Sequence, residues 1–398
     1  MKNLSHLLFL LIFVSASAHG QTQTKTILVG KGPDALFLTP NEHYLYVANV
    51  EDTFISVIDT RKDEVVQTID GSDYPWGFTR LGESNFVAVS NWDKGIEVID
   101  FTTHKIVKSK RYEQNLGGIV SSKDGKTLFV VATESNKVLK IDANSLDVLG
   151  EYKTGNGPDG IGISKDARKI YVANTKDGSI SIIDVKTKQA QVIQTGGKPE
   201  LIHANEDRSL LFISNFLQNK IHILNTVTDK ISHEITGLDG PEEAVLSKSG
   251  KTLYVVNFNA AQVFNYDAKT YKKHAEEFST GSKPIGVVSA AGDTKMYVSN
   301  FGDNSVTVFN FKAAQKTARR REREILVKFK TGTRAAQIEK LVSELGLEQI
   351  KTIPALRLRV FSVISNKSLK DVVKACEKQP FVEYAEPNQK VGVKQGSD

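Results

Sequence analysis

The 398-residue chain contains one cysteine, Cys376, and only two methionines and two tryptophans. A single thiol excludes an intrachain disulfide, a cysteine-rich zinc site and haem attachment through C-x-x-C-H, so stability has to come from packing. After the first fifteen residues no uninterrupted apolar run approaches the roughly 18 to 20 residues of a spanning helix, which excludes a polytopic membrane protein. Catalytic signatures are missing too. There is no G-x-S-x-G elbow, no P-loop and no Rossmann glycine pattern. The histidines at His43, His104, His203, His222, His233 and His274 form no H-x-H or H-x-x-x-H pair. A histidine metal cluster would have to assemble from distant segments.

The amino terminus supplies Lys2, an apolar run from Leu7 to Val14, and the small residues Ser15-Ala16-Ser17-Ala18. This pattern predicts a Sec signal peptide over residues 1–18, with an uncleaved anchor helix as the alternative. No cysteine follows the run, which closes the lipoprotein route. The protein is therefore expected to be secreted, periplasmic or at the cell surface. Charge is divided unevenly: residues 20–311 carry a balance of −4 and residues 312–398 a balance of +9, within a total of +6. Two modules of opposite electrostatics are implied.

The dominant feature is a repeat. YVAN (46–49), VAVSN (87–91), FVVAT (129–133), YVAN (171–174), FISN (212–215), YVVN (254–257) and YVSN (297–300) are copies of one unit, spaced by 41 to 43 residues. A second landmark keeps the rhythm at Asp59, Asp100, Asp142, Asp184, Asn225, Asp267 and Asn310. A third stands at Pro33, Pro75, Gly117, Pro158, Pro199, Pro241 and Pro284. Each unit reads as four short strands with period-2 alternation, for example GIGIS, KIYVAN, SISIID and AQVIQTG. Four strands in about 40 residues predict an all-β, seven-bladed β-propeller over residues 25–311. The last unit lacks its outer strand, and KTILVGKGP (25–33) matches QVIQTGGKP (191–199), so an N-terminal strand is expected to close the ring and remove an open edge.

The G-x-x-P-x-G turn, the YVAN strand and the ID-x-x-T turn resemble the YVTN-type propeller repeats of exported and surface-layer proteins. That resemblance implies the fold; it does not specify a function. The repeated Asn and Asp are expected to be structural, each bonding its own backbone two residues on. Function is then expected where the repeats differ.

Propeller geometry places two sets of turns around one channel mouth. Just after the Pro landmark stand Asp34, Trp76, Gly118, Asp159, Glu200, Glu242 and Ile285. Just after the Asn landmark stand Val50, Trp92, Glu134, Thr175, Phe216, Phe258 and Phe301. Acids and aromatics thus ring one opening, where they could capture a protein, peptide or glycan; packing of the rings against neighbouring blades is the equal alternative. Hard carboxylates would suit calcium, yet no Asp-rich calcium loop is present, and no cofactor is expected.

Residues 312–323 form a charged linker with Arg319, Arg320 and Arg321. Beyond it the order βαββαβ over 324–388 predicts a small α+β, ferredoxin-like domain, with Cys376 on the apolar face of its second helix. ILVKF, LRVFSV and PFVEYAEPN resemble the prodomain of fervidolysin-type subtilisin-like proteases. In that family the residues beyond the last strand enter the protease, which here would make Val391, Gly392, Val393 and Lys394 the insertable part of the tail 389–398. These 398 residues hold no protease segment after the domain, so inhibition is expected to act in trans.

The leading expectation is a non-enzymatic scaffold with a second interaction module. A lactonase-like propeller hydrolase and a trans inhibitor of a subtilisin-like protease are the alternatives. The negative balance of the repeat region argues against nucleic acid.

Overall fold

The computed structural model describes residues 23–93, 95–311, 323–353, 357–365 and 367–388. The expected signal peptide, the Arg-rich part of the linker and the tail 389–398 lie outside them. The chain divides into two compact units, one spanning Thr24–Asn310 and the other including the C-terminal residues from Phe311. Among the described residues no helix is long and apolar enough to cross a membrane.

The larger unit is an all-β, propeller-like assembly of four-stranded antiparallel sheets. Its innermost strands are Pro33–Leu38, Pro75–Arg80, Leu116–Ser121, Pro158–Ile163, Pro199–Ala204, Pro241–Leu246 and Pro284–Ser289. Each lies against the innermost strand of the next sheet, and Pro284–Ser289 lies against Pro33–Leu38. The strand Gln23–Leu28 shares a sheet with Ser305–Asn310, Lys295–Asn300 and Pro284–Ser289. Second strands such as Tyr44–Asn49 are buried on both faces, which is why YVAN reads as a nearly continuous apolar run and not as an alternation. Outer strands such as Glu64–Asp70 are almost wholly exposed. Sheets approach closely at the centre: a Cβ on Gly160 would fall 2.1 Å from the Glu200 carbonyl oxygen, and one on Gly286 2.5 Å from that of Asp34. Only glycine fits there.

Two landmark readings need correction. The Asp positions do cap their own turns, as in Asp184 Oδ1 accepting from the Lys186 N–H at 2.9 Å. The Asn positions mostly do not. Asn174, fully buried, donates to the Ser179 and Ser181 hydroxyls and accepts from the Gly155 N–H at 3.1 Å, so it ties three segments of its sheet together. In the third sheet Leu116 pairs with Ala132, as Pro158 pairs with Asn174. That sheet has neither Pro nor Asn at these places, and its equivalent positions are Leu116 and Ala132, one residue before the Gly117 and Thr133 expected from the repeat.

The C-terminal unit has strand order Leu347–Ile353, Leu358–Val363, Glu324–Phe329, Val382–Pro387, with helices Ala335–Leu345 and Leu369–Glu377. Ile325, Val327 and Phe329 alternate inward against Ile338, Leu341, Leu345, Val372 and Cys376, which together exclude water. Arg323, placed by sequence in the linker, donates to the Ser365 and Lys367 carbonyls and belongs to this unit.

Candidate functional site at the channel mouth

The residue after the first position of every innermost strand but Leu116–Ser121 lines a cavity of about 440 Å³ at one end of the channel. Asp34, Trp76, Asp159, Glu200, Glu242 and Phe301 line it, with Lys198 and Glu51. Six of the ten sequence candidates are thereby brought together. Trp92 stacks behind Trp76 with ring centroids 5.0 Å apart. Phe216 and Phe258 form an edge-to-face pair at 5.8 Å, with the Lys198 ammonium 5.5 Å over Phe216. These rings also meet neighbouring turns: a Cβ on Gly240 would lie 3.0 Å from the Phe216 ring, and one on Gly32 3.0 Å from the Phe301 ring.

Glu134 does not join the cavity. The one-residue offset in the third sheet gives its place to Thr133, whose Oγ1 is buried without a hydrogen-bond partner, and Glu134 is exposed. Gly118 shifts likewise. It aligns with Gly160 as the residue of close approach, and Gly117 takes its place at the mouth, leaving a gap that faces Trp76 Nε1, Asp159 Oδ1 and Thr133 Oγ1.

Four carboxyls in one cavity, Glu200 buried and Asp34, Asp159 and Glu242 half-buried, cannot all ionise cheaply. Burial, and then the charges of Glu243, Asp159 and Glu200, push Asp34 up to about 8. Asp34 itself is half-buried and lines both this cavity and the one behind it. Burial followed by Glu200 and Asp34 pushes Glu242 up to about 9. Asp159 rises less, to about 6, since Lys198 and a hydrogen bond from Trp76 oppose burial and Glu200. Burial also raises Glu200 although its Oε1 is ion-paired with Lys198. Burial would lower the Lys198 ammonium, but Glu200, Glu242 and Asp159 hold it above its usual range. Glu200 Oε2 is buried and has no partner.

A second cavity of about 250 Å³ continues the channel, sharing Asp34, Trp76, Asp159 and Leu201 with the first. Here His203 Nε2 lies 2.6 Å from Glu243 Oε1. The Glu243 carboxylate also accepts from the Val287 N–H of the next sheet. Burial alone would lower His203; Glu243 raises it above the usual histidine value. Among the described residues no group of three or more His, Cys, Asp or Glu could hold a metal ion.

The model of the YNCE-like beta-propeller family matches residues 11–289. The chain belongs to that family. A second family model, the fervidolysin N-terminal prodomain, matches residues 310–388 of this YNCE-like protein. Among curated proteins, Antigen Lp49 of Leptospira interrogans serogroup Icterohaemorrhagiae serovar copenhageni (strain Fiocruz L1-130) is 24% identical over 152 residues, which are 36% of this chain and 33% of the antigen. The match thus spans about a third of that relative's length. Two solved structures share the fold. Kuenenia stuttgartiensis hydrazine synthase aligns with a TM-score of 0.62 and 18% identity over 71% of this chain and 96% of that one. The Cps50 (Swd1) beta-propeller domain of Myceliophteria thermophila aligns with 0.62 and 10% identity over 72% and 99%.

Sequence reading missed three contributors to this YNCE-like site, Glu51, Lys198 and Glu243. Lys198 precedes Pro199 and was hidden in the turn. Glu243 stands one residue beyond the position compared between repeats, where Gly160 and Gly286 stand in other sheets. A carboxylate in a slot otherwise held by glycine was the available signal.

Proposed function

We propose that the protein is an exported scaffold, a seven-bladed ring closed by the strand Gln23–Leu28 and followed by a ferredoxin-like interaction module, and that its mouth captures a cationic segment of a protein or peptide. The observation that carries this reading is the convergence of Asp34, Asp159, Glu200 and Glu242 beside Trp76, with Lys198 ion-paired to Glu200 Oε1 and Glu200 Oε2 without a hydrogen-bond partner among the described residues. Empty, such a cluster holds protons. A lysine or arginine side chain would displace them and meet the face of Trp76. Residues 1–18 as a signal peptide, and the likeness to a bacterial antigen, support an extracytoplasmic location.

The test is calorimetric titration of the intact protein at pH 7 with a lysine-rich peptide and a glutamate-rich control, in buffers of different ionisation enthalpy. The reading expects binding of the basic peptide alone, with proton release, and its loss in Trp76→Ala and Glu200→Gln. Equal binding of both peptides, or basic-peptide binding without proton release, would overturn it.

The His203–Glu243 pair favours a second reading, a lactonase-like hydrolase, because a carboxylate that orients an imidazole and raises its basicity is general-base geometry once the ring is neutral. Hydrolysis of lactones that disappears in His203→Ala would support it.

A further inference from the structure

At the far end of the innermost strands, away from the acidic mouth, the channel opens into a cavity of about 310 Å³ formed by the turns of four successive sheets. Its chemistry is different. Arg208 lines both this cavity and the inner one, and its Nη1 is buried without an acceptor. Burial lowers Arg208, and no carboxylate offsets that effect. Lys123 and Lys165, from the equivalent turns of two neighbouring sheets, also line the cavity, and neither is in a salt bridge among the described residues. The acids present are largely committed: Glu83 to Arg80 at 3.0 Å, and Asp207 to the N–H and hydroxyl of Ser209 at 3.0 and 2.6 Å. Glu206, and Asp207 through its charge on Lys165, are the acids left to face Lys123, Lys165 and Arg208. The Thr79 hydroxyl oxygen accepts from the Ser121 N–H at 3.0 Å, which leaves its proton for another acceptor.

The backbone adds a second cost. Arg208 is the fourth residue of a turn closed by its N–H to the Asn205 carbonyl at 2.9 Å, and its φ is +57°. The matching turns of other sheets place Glu42, Gly125, Ala167, Gly250 and Asp293 there, also at positive φ. Glycine adopts that conformation freely, and a long side chain pays for it in strain. One sheet therefore holds a large cation on a strained turn, with a hydrogen-bonding nitrogen unsatisfied, at the rim of a cavity. Such a combination costs stability unless something completes it.

We propose that this end of the channel is an oxyanion site, for a carboxylate or phosphate group, with Arg208 as the anchor and Lys123, Lys165 and the Thr79 hydroxyl as supporting donors. In the resting arrangement Nη1 faces protein atoms; rotation of the side chain carries it into the cavity the residue already lines. The planar fork of arginine then meets two oxygens of the anion, and the lysines supply charge without fixed geometry. The site is separate from the acidic mouth and does not depend on what binds there.

The experiment uses the full chain, with inorganic phosphate and succinate as probes and sodium chloride at matched ionic strength as control. Melting temperature and titration calorimetry are the readouts. The wild-type protein should be stabilised by millimolar phosphate, succinate or both beyond the chloride control, and the anion that works names the source. Arg208→Gly should melt higher than wild type without anion, because the turn relaxes, and should bind the same anion at least about tenfold more weakly. Arg208→Gln, which keeps the turn strain, should lose the anion effect without the gain in melting temperature. If neither anion stabilises the wild type, or if Arg208→Gly binds with unchanged affinity, the assignment fails.

Discussion

Replacing Asp34 by asparagine should stabilise the protein at alkaline pH. In the folded chain this carboxyl ionises near 8, where an ordinary aspartate ionises at 3.8, because burial and the charges of Glu243, Asp159 and Glu200 oppose its negative form. Between those two values the folded state holds a proton that the unfolded chain has released. Stability therefore falls as pH rises through that window. For an isolated group the rise from 3.8 to about 8 would amount to about 5 kcal/mol at pH 8. Channel water, Lys198 and the sharing of protons among the carboxyls screen it, so about 2 kcal/mol is the expected difference. Asp34→Asn stays neutral throughout and should match the wild type below pH 4, then exceed it by that amount at pH 8. Urea denaturation followed by tryptophan fluorescence from pH 4 to 9 measures this directly. His203, raised by Glu243, also contributes stability that is lost as pH rises, but it does so in both proteins and cancels in the difference. A mutant equal to or less stable than the wild type at pH 8 would refute the reasoning.

Deleting residues 23–28 removes Ile27, which is buried with Leu45, Ile58 and Tyr297, and leaves Ser305–Asn310 as a bare sheet edge. A loss of at least about 3 kcal/mol with aggregation on light scattering is expected, and an unchanged melt would count against the role of that strand. Cys376 is fully buried and its thiol is pushed up to about 11, so iodoacetamide at pH 8 should label it only after denaturation, as mass spectrometry would show. The intact protein should inhibit a subtilisin-like protease, and removal of 389–398 should weaken inhibition while docking stays measurable; no inhibition by either form would remove the propeptide reading.

The repeat was legible because two positions per unit serve the backbone itself: the Asp that caps its own turn is recognisable from local chemistry alone. The buried Asn was visible as a landmark, but its bonds to Ser179, Ser181 and Gly155 depend on how the sheet folds back, and sequence suggested the wrong partner. The third sheet was misregistered because Leu116 and Ala132 carry neither landmark, and only strand pairing reveals the offset that moved Glu134 out of the mouth. The acidic ring was readable from one position compared across sheets. The His203–Glu243 contact was not, since it joins the fifth residue of one innermost strand to the third residue of the next.

The shared sheet of Gln23–Leu28 and Ser305–Asn310 has a consequence for how the chain reaches its native state. Every other sheet in the repeat region forms from residues within one stretch of the chain and can assemble by local hairpins as it emerges. This one must wait for partners on the order of 280 residues apart, and relative to a ten-residue hairpin such a closure costs about 3 kcal/mol more in chain entropy. Folding should thus proceed sheet by sheet and finish with a single slow, non-local step. Until that step the two ends of the array carry unpaired edges, so the interval between synthesis of the last repeat and joining of the ends is when the protein is most exposed to misassembly with a second copy.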